Sequence, residues 1–367
     1  MRSFWIASAI VLLLTSAFSA SAADTIKAVN YEEKLYKGKD PYALYILLRR
    51  NGIQGLGIGG KSSEVSLEFC RDVIKDMDAK GNFEQELKAL FQALKIPKDW
   101  KALNDEKTAA FRKEFPNGAV IETRHYVVLA TANRKITEEL ATKMDKIFEA
   151  YDKMFKFEEK IPYKCIIRFW KDRNEFLSHG APGWAAAYYS PGTKELVGFD
   201  TKSSPATSHM DSISTLFHEG WHQFFDFYIP NAPRWFDEGF AEIFSPTQVV
   251  GDRISERFNS MRSQSVKIAL REGRLFKLRD FIRMGRSEFY GANIDAAYAQ
   301  AWSFVYYLLS FKHSDPTIEK RVRQFYKDYF WELQKGTDPV DAVDKVFKDV
   351  NLEVLEEMWK KAIPNQR

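Results

Sequence analysis

The clearest periodicity in the chain runs from Asp211 to Tyr228, where apolar residues fall at Ile213, Leu216, Phe217, Trp221, Phe224, Phe225 and Tyr228. That i, i+3, i+4, i+7 rhythm predicts a helix buried along one face. Asp211 or Ser212 can cap its start, and Pro230, Asn231 and Pro233 end it. A second helix is expected over 234–244. Helical patterns also cover 42–50, 64–79, 83–94 and 138–155, and everything after Arg253 reads as helix, with breaks near Gly273, Gly291, Asp315, Gly336 and Asn351. Strand patterns are fewer: 120–130, 165–170, and the pair 185–190 and 195–200 flanking the Pro191-Gly192 turn signal. The polar, Lys-rich stretch 99–117 reads as a linker. The expected fold is α+β, with a small sheet, a central helix pair, a helical N-terminal unit and an α-helical C-terminal part. The boundaries expected are a signal peptide over 1–22, the N-terminal helical unit and linker over 23–117, an α+β core over 118–252, and a C-terminal helical part over 253–367 that completes the domain begun by that core.

Arg2, an apolar run from Phe4 to Phe18 and then Ala20-Ser21-Ala22 predict a signal peptide cleaved after Ala22. An exported, periplasmic or secreted protein follows. The next longest apolar stretch, 301–311, is too short to span a bilayer, so no membrane span is expected in the mature chain. Losing Arg2 leaves 53 Lys and Arg against 50 Asp and Glu, a balance of +3 that makes no electrostatic case for nucleic acid. Cys70 and Cys165 are the two cysteines; export would permit a disulfide, their spacing does not decide it, and they form no metal motif. Aromatics, 15% of the chain, fall mostly at helical core spacing, which favours a thick core over an exposed sugar-binding platform. Gly55 to Ser62 fits G-x-x-x-x-G-K-S letter for letter. A phosphate cradle also needs a buried strand before it and a helix directly after it, and residues 42–50 read as helix, so nucleotide binding is not expected.

The long amphipathic helix carries His218-Glu219-Gly220-Trp221-His222. Positions i and i+4 share a helix face, so both imidazoles can reach one ion, while Glu219 flanks the open position at which water would need a general base. A metzincin would place Gly and His where Phe225 and Tyr228 stand, so that continuation fails. The second helix instead offers Glu238 as a third ligand, Glu242 one turn later to accept the outer N–H of a ligand histidine, and Asp237 for the other histidine. Gly220 inside a helix costs about 1 kcal/mol against Ala, which hints at a close neighbour.

His218-Glu-Gly-Trp-His222 followed by Trp235-Phe-Asp-Glu-Gly-Phe-Ala-Glu242 resembles the gluzincin metallopeptidases, whose thermolysin-like and aminopeptidase N-like members pair HExxH with a downstream glutamate. The pattern over about 120–363, including Ala297-Tyr-Ala-Gln-Ala-Trp302, is closer still to a poorly characterised bacterial group of peptidase-MA-like secreted proteins. The resemblance implies Zn2+ held by His218, His222 and Glu238, Glu219 as base, and Tyr298 as the residue stabilising the oxyanion. Two departures are visible: Asp237 stands where the aminopeptidases carry Asn, and no G-x-M-E-N segment precedes the zinc-type helix. The expected activity is therefore that of a secreted zinc metallopeptidase cutting peptide or protein substrates internally, with the 185–200 hairpin as an edge strand for extended substrate and Ala185, Ala186 and Ala187 keeping that approach open. The alternatives are a zinc-retaining binding or scaffold protein and a hydrolase of a non-peptide amide in cell-wall material.

Overall fold

A computed structural model describes residues 29–366 apart from 54, 59–60, 95–99, 156, 209–210, 231, 252 and 256. The expected signal peptide lies outside the described residues. Among those described, no helix is long and apolar enough to cross a membrane. The fold is α+β. The chain divides into two compact units, Lys27–Pro230 with Gly251–Ile254, and Asn231–Val250 with Ser255–Arg367.

The first unit begins with helices α1 (Tyr31–Gly38) and α2 (Pro41–Arg50), the strands β1 (Gly55–Ile58) and β2 (Lys61–Glu64), then α3 (Leu67–Ala79) and α4 (Phe83–Ala93). Leu44, Ile46, Leu48, Cys70 and Leu87 give these helices a core of their own. The helix expected over 64–79 starts three residues late, because Glu64 pairs with Gly55 in the β1–β2 hairpin and Ser66 caps α3 by accepting from the Phe69 N–H. Lys61 therefore enters a strand instead of opening a helix, which removes the geometry a phosphate cradle needs.

The stretch expected to be a linker is largely helix α5, Trp100–Glu114. Its apolar positions are too sparse to show a period, but Ala, Lys and Glu are strong helix formers. Tertiary contacts do the rest: Phe111 packs with Val127, Leu129 and Ile166, and the Asn104 amide donates to the Lys164 carbonyl at 2.6 Å.

The sheet contains β3 (Ala119–Glu122), β4 (Tyr126–Ala130), β5 (Cys165–Trp170), β6 (Ala187–Ser190) and β7 (Glu195–Phe199), in the order β3-β4-β5-β7-β6. The inner strands β4, β5 and β7 are parallel, and β3 and β6 run antiparallel at the two edges. One continuous strand was expected over 120–130; it is a hairpin instead. Asp145 Oδ1 accepts from both the Thr123 hydroxyl and the His125 N–H, each at 2.7 Å, and so holds the turn that breaks the strand. Asp145 lies on α6 (Arg134–Phe155); α7 (Arg173–Ser178) follows β5, and α8 (Ser212–Tyr228) packs against α6, β6 and β7. Cys70 and Cys165 are buried free thiols, both pushed up to about 12 by burial.

The second unit is helical: α9 (Arg234–Phe244), α10 (Ser260–Arg271), the short α11 (Leu278–Phe281) and α12 (Arg286–Phe289), then α13 (Ile294–Ser310), α14 (Pro316–Gln334), α15 (Pro339–Val346) and α16 (Leu352–Ala362). Arg253–Ser255, expected to be helical, is a short strand whose first two residues belong to the first unit. The expected breaks are present: Gly273 and Gly336 take left-handed backbone, and Asp315 and Asn351 cap α14 and α16. Helix α13 lies at the centre, packed against α9, α10 and α14.

Candidate metal centre

Helix α8 starts where Asp211 accepts from the N–H groups of Ile213 and Ser214. Its apolar side, from Leu216 to Tyr228, is buried, while His218, Glu219 and His222 are half-buried on the other. The two Nε2 atoms stand 3.1 Å apart, with the rings at 78°. Two imidazoles bound tetrahedrally at zinc distances have nitrogens about 3.3 Å apart, so the histidines already sit at ligand spacing. The close neighbour at Gly220 is α6: a Cβ there would fall 3.0 Å from both Met144 Cε and the Tyr151 hydroxyl, and that hydroxyl donates to the Phe217 carbonyl.

Glu219 is tied to the sheet. Its Oε2 accepts the main-chain N–H of Tyr189 at 3.0 Å, from edge strand β6. The phenol of the same tyrosine donates to Asp226 Oδ2 at 2.9 Å, and Lys194 Nζ pairs with that oxygen, the Lys and Asp side chains being only 7% and 12% exposed. Burial, then the Asp226 carboxylate, raises the Tyr189 phenol far above its ordinary value, so it stays a donor. Helix α8 thus holds Tyr189 at both ends. Sequence reasoning missed Tyr189, Lys194 and Asp226; Asp226, one turn beyond His222, was the available signal. Ala185, Ala186 and Ala187 do not line an open approach as expected, because they are buried, the first two packed with Phe176 and Phe199.

Glu238 on α9 is 2% exposed, and its Oε1 accepts the Tyr290 hydroxyl at 2.5 Å. Burial and the Glu238 charge raise the Tyr290 phenol above its ordinary range, with Arg234 opposing them. Ligand atoms of His218, His222 and Glu238 all lie within 4.8 Å of one another, close enough to hold a metal ion. Two imidazoles and a carboxylate suit zinc and neighbouring divalent ions. Asp237 pairs with Arg234 at 3.1 Å. Glu242 accepts from Arg262 at 2.7 Å and from the Asn259 amide at 3.0 Å. Tyr298, half-buried on α13, lies under the Arg262 guanidinium, 5.0 Å from the ring centroid, and edge-on to Phe289. Tyr290 and Arg262 had no sequence signal, since Tyr290 reaches Glu238 across 52 residues and Arg262 reaches Glu242 across 20.

Residues 212–319 match a family model described as a protein of unknown function (DUF1570). That stretch, under half of the chain, runs from α8 to the start of α14 and includes every residue expected in the metal centre. No curated protein matches the chain.

Proposed function

We propose that this protein is an exported zinc-dependent peptidase that cleaves peptide bonds internally. The observation that carries the reading is the convergence of His218, His222 and Glu238, with a further carboxylate, Glu219, next to the first of them on the same helix. Those three residues would hold the ion, which supplies Lewis acidity toward a carbonyl oxygen and lowers the pKa of water toward about 7. Glu219 takes the proton of the attacking water on its carboxylate and returns it to the leaving nitrogen. The Tyr189 N–H keeps Glu219 Oε2 in place while this happens, and Tyr290 keeps Glu238 Oε1 in place. Tyr298 is the residue that the gluzincin resemblance assigns to the oxyanion. Strand β6 is at the sheet edge, and although its Tyr189 N–H is taken by Glu219, an extended peptide can pair with the backbone beside it.

Glu219→Gln tests the reading, because it removes the base and leaves the ligands. The variant should keep its zinc and lose about 10²- to 10⁴-fold in turnover of a peptide library, whereas Glu238→Ala should lose zinc. A Glu219→Gln protein as active as the wild type would sink the mechanism.

A further inference from the structure

A second group of metal-type side chains lies in the first unit, on elements that precede α8. His125 stands in the turn between β3 and β4, and Asp145 and Glu149 lie one helical turn apart on α6. One ligand atom from each lies within 4.8 Å of the other two. The arrangement is held before any ligand arrives. Asp145 Oδ1 accepts from the Thr123 hydroxyl and the His125 N–H, which fastens the turn to α6. The His125 ring is stacked on Phe148, with centroids 4.1 Å apart and planes 13° from parallel, so its edge cannot swing freely. Its Nε2 is buried and has no hydrogen-bond partner among the described residues. A buried nitrogen in that state costs about 1–3 kcal/mol, so it calls for a partner of some kind, an ion or a water. Two carboxylates beside the imidazole make a cation the more favourable of the two, because the ion answers their charge together with a ring nitrogen's lone pair.

We propose that His125, Asp145 and Glu149 form a second divalent-cation site, of one imidazole and two carboxylates, that clips the β3–β4 turn to α6. One nitrogen and two oxygens suit Zn2+, Co2+ or Ni2+ better than Mg2+ or Ca2+, which prefer oxygen alone. The role is structural, and it is independent of the peptidase reading.

The test uses the full chain with His218→Ala and His222→Ala, stripped by chelator and titrated with Zn2+ by calorimetry and with Co2+ by its visible absorption. One equivalent should bind, against two for the wild type, and Zn2+ should raise the melting temperature of the double variant. Adding Glu149→Gln, a neutral isostere on the helix surface, should weaken that binding by more than the ~10-fold that losing an outer partner of a ligand costs. Adding His125→Gln should do the same. If the double variant binds nothing, a water satisfies His125 and the proposal falls. It falls equally if an ion binds but ignores both further substitutions, since that ion lies elsewhere.

Discussion

Gly239→Ala sets two effects of known size against each other beside the proposed ligand Glu238. Alanine favours a helix over glycine by about 1 kcal/mol, so on an exposed face the change would stabilise. Here a Cβ would fall 2.5 Å from Val305 Cγ2, 2.8 Å from the Ala301 carbonyl oxygen and 3.2 Å from the Ala301 carbonyl carbon. Val305 is fully buried and β-branched, and the Ala301 carbonyl is part of the α13 backbone, so α9 and α13 must separate before either contact is relieved. Overpacking of this kind costs about 1–3 kcal/mol. A backbone clash belongs at the upper end, which leaves a net loss of about 1–2 kcal/mol. Gly220→Ala is the control: its Cβ meets Met144 Cε and the Tyr151 hydroxyl at 3.0 Å. A methionine end can move aside and the Tyr151 hydroxyl, though bonded to the Phe217 carbonyl, need give only a few tenths of an ångström, so helix propensity offsets most of the cost and the variant should stay within about 1 kcal/mol of wild type. Urea unfolding followed by tryptophan fluorescence and far-ultraviolet circular dichroism measures both. A Gly239→Ala protein as stable as wild type, or a Gly220→Ala protein that loses more than Gly239→Ala, would refute the argument from backbone against flexible side chain.

Tyr290→Phe removes the hydroxyl on Glu238 Oε1 and should weaken zinc affinity by about 10- to 100-fold in chelator competition; an unchanged affinity would show that Tyr290 does not support a ligand. Lys194→Met leaves the Asp226 carboxylate nearly buried with its cation gone. A loss of roughly 3–5 kcal/mol is expected from denaturant unfolding, and a neutral result would mean that the Lys194 charge contributes nothing there. Internal cleavage predicts that N-acetylated and free peptides of one sequence are cut at comparable rates, because residues 183–190 carry no carboxylate to receive a substrate ammonium. Strict dependence on a free amine in a chromatographic assay would overturn that.

Elements with a strong period of their own were legible from the sequence. The α8 pattern, with Asp211 as the one of its two candidate caps that acts, and the 234–244 and 165–170 segments emerge with the expected bounds. Burial on one face repeats every 3.6 residues along α8, and a short apolar run rich in bulky side chains suits a buried strand, whereas α9 is buried almost all round. The spacing of His218 and His222 was legible for the same reason: four residues on a helix determine a distance. Glu238 was reachable only as a candidate, by counting past the Pro233 turn. Tertiary structure decided the rest. Helix α5 has too few apolar residues to announce itself and depends on Phe111 and Asn104 meeting the sheet. The break at 123–125 is made by Asp145, twenty residues away. Glu219 meets Tyr189 across 30 residues, Asp226 meets Lys194 across 32, and Glu238 meets Tyr290 across 52. A periodic pattern records which side of a segment is buried and nothing about what it is buried against, so partners that distant in the chain are set by packing alone.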